Sequence, residues 1–541
     1  MSIYDNFCAG VAHFILFIVT VRYDKLLFLY YKKRRAISLT LGAARLYNFG
    51  MKEFFAKIKS DGALNTVKRA LSSKYFPFVT AAVSVFCYYL GLDIVIIYYI
   101  GLTSVLMLLL LDDLTPLISN FLFMNVMVSP QHAPTTETRD LYDSDYFFHP
   151  AILSQVIIVI VLAFAAIAFR IVMTIKKGKF KPTPTFFGLA ALAVVFLMGG
   201  MFSKGYKPMN LVYGTIMAAL FLGPFVLMKD NLKISRENFE KIAFYFVALS
   251  ALVVIELAVR WITRFGDIVQ NGSIMRKPLE AFGWGTYNQV GMLLLISLPA
   301  IFYLAAKFKH GYLFFLYSIL VLFAAFMSMS RQAMLCSVIV YPVCLVILLI
   351  KGKNRMINAI ITGVAAAGII VFMGVFWDKL MSLFSNVLSN LASGSGRTDI
   401  WKDGFKEFLS APFLGSGWYT DLIDKYPGLH TIGFNFIPEM YHDTFIQLMA
   451  SCGVVGLAAY IVHRTQTVVS FCKNVTQERA FVALCVLALL LVNIFDNHLF
   501  YIFPTMLYSS LIAVIIKSEK KEPPEQTDDP EPVSETEVLE N

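Results

Sequence analysis

Long apolar runs recur along the chain, each bounded by a short polar linker. They fall near 76–90, 94–111, 116–128, 151–175, 185–202, 211–228, 242–258, 284–306, 311–329, 333–350, 357–377, 444–462, 480–495 and 499–516. Most are long enough to cross a hydrocarbon core of roughly 30 Å as a helix. The run at 116–128 is short, so the pattern predicts twelve to fourteen crossings. Lipid offers no hydrogen-bond partner to an open backbone, and no strand-length alternation appears. The expected fold is therefore all-α, a polytopic bundle of membrane helices.

The linkers alternate in character. One set is basic: the segment 22–74, KKGKFK at 176–181, KDNLKISRENFEK at 229–241, KFKH at 307–310, KGKNR at 351–355 and 463–479. The other holds 129–150, 203–210, 259–283, the break Ser328–Arg331, a long loop at 378–443, and Asp496–His498. Basic linkers are retained in the cytoplasm, which puts the second set on the extracytoplasmic side of the cell (inner) membrane.

Composition agrees. Of 541 residues, 58% are hydrophobic and 15% charged, with a mean hydropathy of +0.67. A soluble chain carries roughly 25% charged residues. This balance excludes a secreted enzyme and a disordered chain. The net charge of +10 is concentrated between Arg22 and Lys74, where thirteen Lys/Arg face three acids, and the remainder balances. Residues 1–75 thus read as a basic, amphipathic cytoplasmic segment lying on anionic lipid, with no nucleic acid as partner. The apolar stretch 7–21 lacks the features of a signal peptide. Residues 76–516 form the membrane domain, and the acidic, Pro-containing 517–541 reads as a disordered cytoplasmic tail. Seven cysteines form no CxxC pair. Most lie inside apolar runs (Cys87, Cys336, Cys344, Cys452, Cys485), where packing explains them.

The 378–443 loop stands out because long loops in compact proteins are functional or disordered. SGSG at 393–396 opens it, and Ser395 or Thr398 can cap the helix that follows. TDIWKDGFKEFLS puts Ile400, Trp401, Phe405, Phe408 and Leu409 on one apolar flank. Pro412, Gly415 and Gly417 then end that helix. His442 stands just before the next run. GSGW lacks the GK[ST] of a phosphate-binding loop.

Four stretches in order, FGWGTYNQVGMLL (282–294), SMSRQAML (327–334), GRTDIWKDGFKEFLSAPFLGSGW (396–418) and YHDTFIQLMASCGVVGL (441–457), resemble the O-antigen ligase and Wzy-type polymerase family. These are bacterial membrane glycosyltransferases. The resemblance covers roughly 240–515. It implies a GT-C-like bundle with one long extracytoplasmic loop, acting without metal or cofactor. The implied substrates are an undecaprenyl-diphosphate-linked glycan donor and a glycan acceptor, and chain-length regulator or flippase partners are expected. Within the family a polymerase is favoured. The alternatives are ligation to a lipid or protein acceptor and, from another class, a polysaccharide flippase or transporter. No duplicated halves support the transporter.

The resemblance makes Arg331, Arg397 and His442 the catalytic set. A departing diphosphate carries negative charge that a guanidinium fork can bind, and a histidine can take a proton from the attacking hydroxyl. Each has a structural alternative: an ion-paired membrane arginine, a solvated loop arginine, a locally bonded helix-entry histidine. Asn288, Trp401, Asp443 and Glu439 are the substrate-binding candidates. Asn288 could equally join two helices, and Trp401 could anchor the loop at the interface. Asp443 stands where the family usually has Asn, so it keeps an acceptor and loses the amide donors. His430 is a weaker member of the same loop. His498 is assigned to structure, and His132 and His149 have no partner pattern.

Overall fold

A computed structural model describes residues 62–90, 92–127, 150–178, 181–270, 273–274, 287–392, 397–419 and 441–519. The chain divides into two units, Met1–Arg69 and Ala70–Asn541. Most of the basic segment, the stretch 7–21, residues 282–286, the SGSG entry, His132, His149, His430, Glu439 and the tail beyond 519 lie outside the described residues.

Every apolar run appears as a helix. After α1 (Gly62–Leu71) come α2 (Phe76–Tyr89), α3 (Asp93–Leu110), α4 (Leu117–Met127), α5 (Pro150–Lys176), α6 (Pro184–Met198), α7 (Met209–Lys229) and α8 (Arg236–Thr263). A short helix, α9 (Phe265–Ile268), leads into a small antiparallel ladder that pairs Val269 with Ile274 and Gln270 with Ser273. The chain continues through α10 (Tyr287–Lys307), α11 (Tyr312–Met327), α12 (Arg331–Lys351), α13 (Arg355–Ala392), α14 (Arg397–Ser410), α15 (Thr444–Cys472), α16 (Gln477–Val492) and α17 (Ile502–Lys517). Among the described residues, six helices are long and apolar enough to cross a membrane, or seven if one bent pair forms a single span; the other apolar helices are shorter. The chain is a polytopic helical membrane protein.

Helix α10 is the hub. It packs against α8, α11, α12 and α16, and 89% of its most apolar window is buried, against 17% for α5. The lipid-facing side of α5 exposes Val161 and Phe164. Such residues remain apolar outside the core because their solvent is hydrocarbon.

Side chains tie the linkers into two ends. At one, Lys307 Nζ lies 2.7 Å from Glu478 and 3.7 Å from Glu240, Asn354 donates to the Lys309 carbonyl, and Ser470 donates to Glu519. These contacts join the basic linkers to one another. At the other end the Gly200 amide donates to Leu414, and Asn288 meets Asp496. Among the described residues, the basic linkers gather at one end of the helices.

Three boundaries differ from the hydrophobic pattern. Helix α13 runs on to Ala392, well into the expected outer loop. Helix α15 continues to Cys472 through the segment read as a linker, because His463, Thr467 and Ser470 are buried there. In α14 the buried residues are Asp403 and Gly404, while Phe405 and Leu409 of the expected apolar flank are exposed. The reason is close approach. A Cβ on Gly404 would lie 2.6 Å from Ile446 and 2.7 Å from Tyr441, so α14 meets α15 through its bare glycine.

Candidate active site

Four helix starts surround one buried carboxylate. Asn288 is the second residue of α10, Ser330 the N-cap of α12, Arg397 the first residue of α14, and Asp443 the N-cap of α15. The carboxylate is Asp496, in the turn between α16 and the 3-10 turn His498–Phe500. Its Oδ1 accepts from His442 Nδ1 at 3.0 Å and from the Asn497 amide at 2.9 Å. Its Oδ2 accepts from Asn288 Nδ2 at 3.1 Å. His498 Nε2 stands 3.6 Å away.

The supports of this carboxylate extend in two directions. Ser330 Oγ donates to Asn288 Oδ1 (3.2 Å), and Gln332 Nε2 donates to the Asn288 carbonyl (3.3 Å). The same Gln332 nitrogen is 2.9 Å from His498 Nε2, which makes that ring nitrogen the acceptor. On the other side, Gln447 Oε1 accepts from Asn497 Nδ2 and from the Tyr441 amide. The Thr444 amide donates to the Asn493 carbonyl, which ties the start of α15 to the end of α16.

Electrostatics follow from this packing. Burial alone would raise the Asp496 carboxyl, but His498, His442 and the Asn497 amide outweigh it and hold it well below the carboxylate range. Burial holds His498 below the ordinary imidazole value, with Asp496 opposing and His442 and Arg397 adding to the depression. With Nδ1 held against the carboxylate, His442 turns Nε2 away from it, and its side chain is 28% exposed. That is the arrangement a general base requires.

The backbone is strained at the entries. Met329 (φ 59°) and His442 (φ 53°) are the non-glycine residues with left-handed backbone among the described ones. Each precedes a site helix, and such strain, of order 1–3 kcal/mol, persists only where surrounding structure imposes it. Below the site, α15 breaks at Gly453 (φ 65°). The Pro412 and Phe413 carbonyls accept from the freed Val454 and Val455 amides, while the Ser416 amide donates to Ala450. The GSGW turn therefore docks into a broken helix. Trp418 then closes the base, fully buried against Phe196, Tyr213 and Phe500.

The expected residues divide as follows. His442, Asn288 and Arg397 come together; the Arg397 guanidinium donates to the Phe495 carbonyl, one residue before Asp496. Asn288 joins helices, as one of its two readings held. Arg331 is half-buried at the first turn of α12, directly after Ser330. Asp443 is the N-cap of α15, accepting from the Ile446 amide at 2.8 Å; burial raises its carboxyl while the Ile446 and Phe445 amides oppose. Trp401 buries its indole nitrogen without a hydrogen-bond partner. Helix α14 begins at Arg397, so Thr398 is within the helix instead of capping it.

Sequence reasoning missed Asp496 and placed His498 outside the site. The signal was present, since DNHLF puts an acid between two apolar runs, where a charge is costly unless paired or working. Among the described residues no group of three His, Cys, Asp or Glu side chains could hold a metal.

Comparison with curated proteins finds no match. Residues 316–461, which include Arg331, Arg397 and His442, match the family model described as O-antigen ligase (Wzy_C).

Proposed function

We propose that the chain transfers a glycan from a lipid diphosphate, of the undecaprenyl kind, on the extracytoplasmic face of the cell membrane. The observation that carries this reading is the His442–Asp496 pair, with Arg397, the first residue of α14, reaching the Phe495 carbonyl beside it, and Arg331 opening α12 directly after Ser330, whose hydroxyl bonds the Asn288 that holds Asp496. A cation at a helix N-terminus opposes the helix dipole by about 0.3–1 kcal/mol. Arg331 and Arg397 each open a site helix, and two guanidinium groups held at helix starts favour an anionic ligand there.

In the reaction, His442 Nε2 removes the proton of an acceptor-sugar hydroxyl as its oxygen attacks the anomeric carbon of the donor. The bond from that carbon to the diphosphate oxygen breaks, and the electron pair leaves with the diphosphate. Arg331 and Arg397 hold the departing charge. Asp496 keeps the His442 ring oriented and stabilises the imidazolium that forms. A single displacement inverts the anomeric centre. No step calls on a metal. The acceptor is a second lipid-linked repeat, which makes the enzyme a polymerase.

The test is glycan extension by the purified protein from a lipid-diphosphate repeat in EDTA. Extended product is expected from wild type and at most a hundredth of it from Arg331→Ala, Arg397→Ala or His442→Ala. Full activity in all three variants would overturn the assignment.

A further inference from the structure

At the basic end, far along the bundle from Asp496, helices α8 and α11 enclose a groove of about 440 Å³. Val247, Ala251, Phe314 and Tyr317 wall it, and Phe308, Lys309 and His310 form its mouth. The walls offer almost no polar atom, because the Tyr317 hydroxyl is engaged with Ser250 Oγ at 2.9 Å. The mouth is cationic. Lys309 and His310 are exposed on the turn that follows Lys307. Lys74 Nζ lies 5.5 Å from the Phe244 ring, which itself packs against Phe308 and Phe314. The nearby acid Glu237 is matched by Lys241 at 2.9 Å.

We infer that this groove binds one anionic glycerophospholipid of the leaflet at the basic end, with an acyl chain between α8 and α11 and its phosphate among Lys309, His310 and Lys74. The chemistry is complementary at both levels: hydrocarbon against apolar walls, and a phosphate monoanion against ammonium and imidazole donors at the interface. Tyr317 lies five residues into α11, about 8 Å below the mouth. The slot thus takes the upper part of a chain while the rest continues into the bilayer. A lipid diphosphate poised for transfer at His442 would carry its headgroup at the opposite end, so it is not the occupant. This inference rests on the membrane fold alone and stands or falls independently of the glycosyl-transfer reading.

The experiment is lipid titration of the full-length protein in detergent, followed by native mass spectrometry, with dioleoyl phosphatidylglycerol and dioleoyl phosphatidylcholine as probes. One phosphatidylglycerol should bind at least fivefold more tightly than phosphatidylcholine. The charge variant Lys74→Glu/Lys309→Glu should reduce that preference below twofold with an unchanged melting temperature in lipid-free detergent. Ala251→Phe should weaken both lipids; if it fails to fold, the charge variant still decides. Equal affinity for the two lipids in wild type would overturn the inference. So would a preference surviving the charge variant, or full displacement of the lipid by soluble glycerol phosphate.

Discussion

His442 Nδ1 donates to Asp496 Oδ1 across 3.0 Å, joining two turns that are 54 residues apart in sequence. The imidazole that opens α15 is therefore set by the carboxylate that follows α16. Asp496→Asn should fold, since an amide oxygen still accepts from the Asn497 amide. It should lose the ionic partner of the imidazolium, so turnover falls roughly 10²-fold or more while donor KM changes little. Steady-state rates with varied donor check this. A pure KM effect would assign Asp496 to donor binding.

Asn288 steadies the other carboxylate oxygen. Asn288→Ala removes one hydrogen bond to Asp496 and the acceptor of Ser330 Oγ. The expected cost is about 1–3 kcal/mol in stability for the unsatisfied buried groups, with turnover down roughly tenfold. Thermal unfolding in detergent and the transfer assay separate the two effects.

The arginines differ from lysine in what they can do. Replacing Arg397 with Lys keeps the charge but loses the planar fork that holds the Phe495 carbonyl and, in the proposed reaction, would hold a phosphate oxygen at the same time. Arg397→Lys should retain stability and lose at least tenfold in turnover. A lysine variant with wild-type kinetics would limit Arg397 to a point charge.

His498 gives the fold a pH dependence of known sign. Its folded pKa is depressed, so the unfolded chain takes up a proton near pH 6.5 that the folded chain refuses. Its contribution is present above that pH and is lost as pH falls. Asp496, also depressed, contributes above about pH 3.9 and loses that contribution only at stronger acidity. His498 should cost the unfolding free energy up to about 1.4 kcal/mol from pH 7.5 to 5.5, about 1 °C in melting temperature for a chain this size, and His498→Gln should flatten that slope. Equal slopes would remove His498 from the account.

Gly453→Ala tests the broken helix. The position is left-handed, and an added Cβ would lie 2.3 Å from the Phe413 carbonyl oxygen. The backbone strain alone is of order 1–3 kcal/mol, so the variant should melt lower than wild type. Gly363→Ala, where a Cβ meets nothing within 4 Å, is the matched control.

Much of the architecture was legible because lipid imposes it. Every apolar run became a helix, and the basic linkers meet where Lys307 reaches Glu240 and Glu478. Ends were less legible. The polar residues Asp378, Lys379, Ser382 and Ser385 closed the apolar run and hid that α13 continues to Ala392, and the polar residues after Tyr460 hid the last turns of α15 because their burial depends on α6 and α17. The flank of α14 misled for a related reason: periodicity marks which residues are apolar, and Gly404 decided which face packs. His442, Arg397 and Asn288 were legible through motif order. Asp496 was not, because its meaning is a partnership with His442 that only the folded chain makes.

The most direct test is a double-mutant cycle on the transfer rate under single turnover, with wild type, His442→Gln, Asp496→Asn and the double variant. If Asp496 acts through the His442 ring, the double variant should be no slower than His442→Gln alone. Losses that multiply across the two sites would contradict the account, because the carboxylate would then act on the reaction without the histidine.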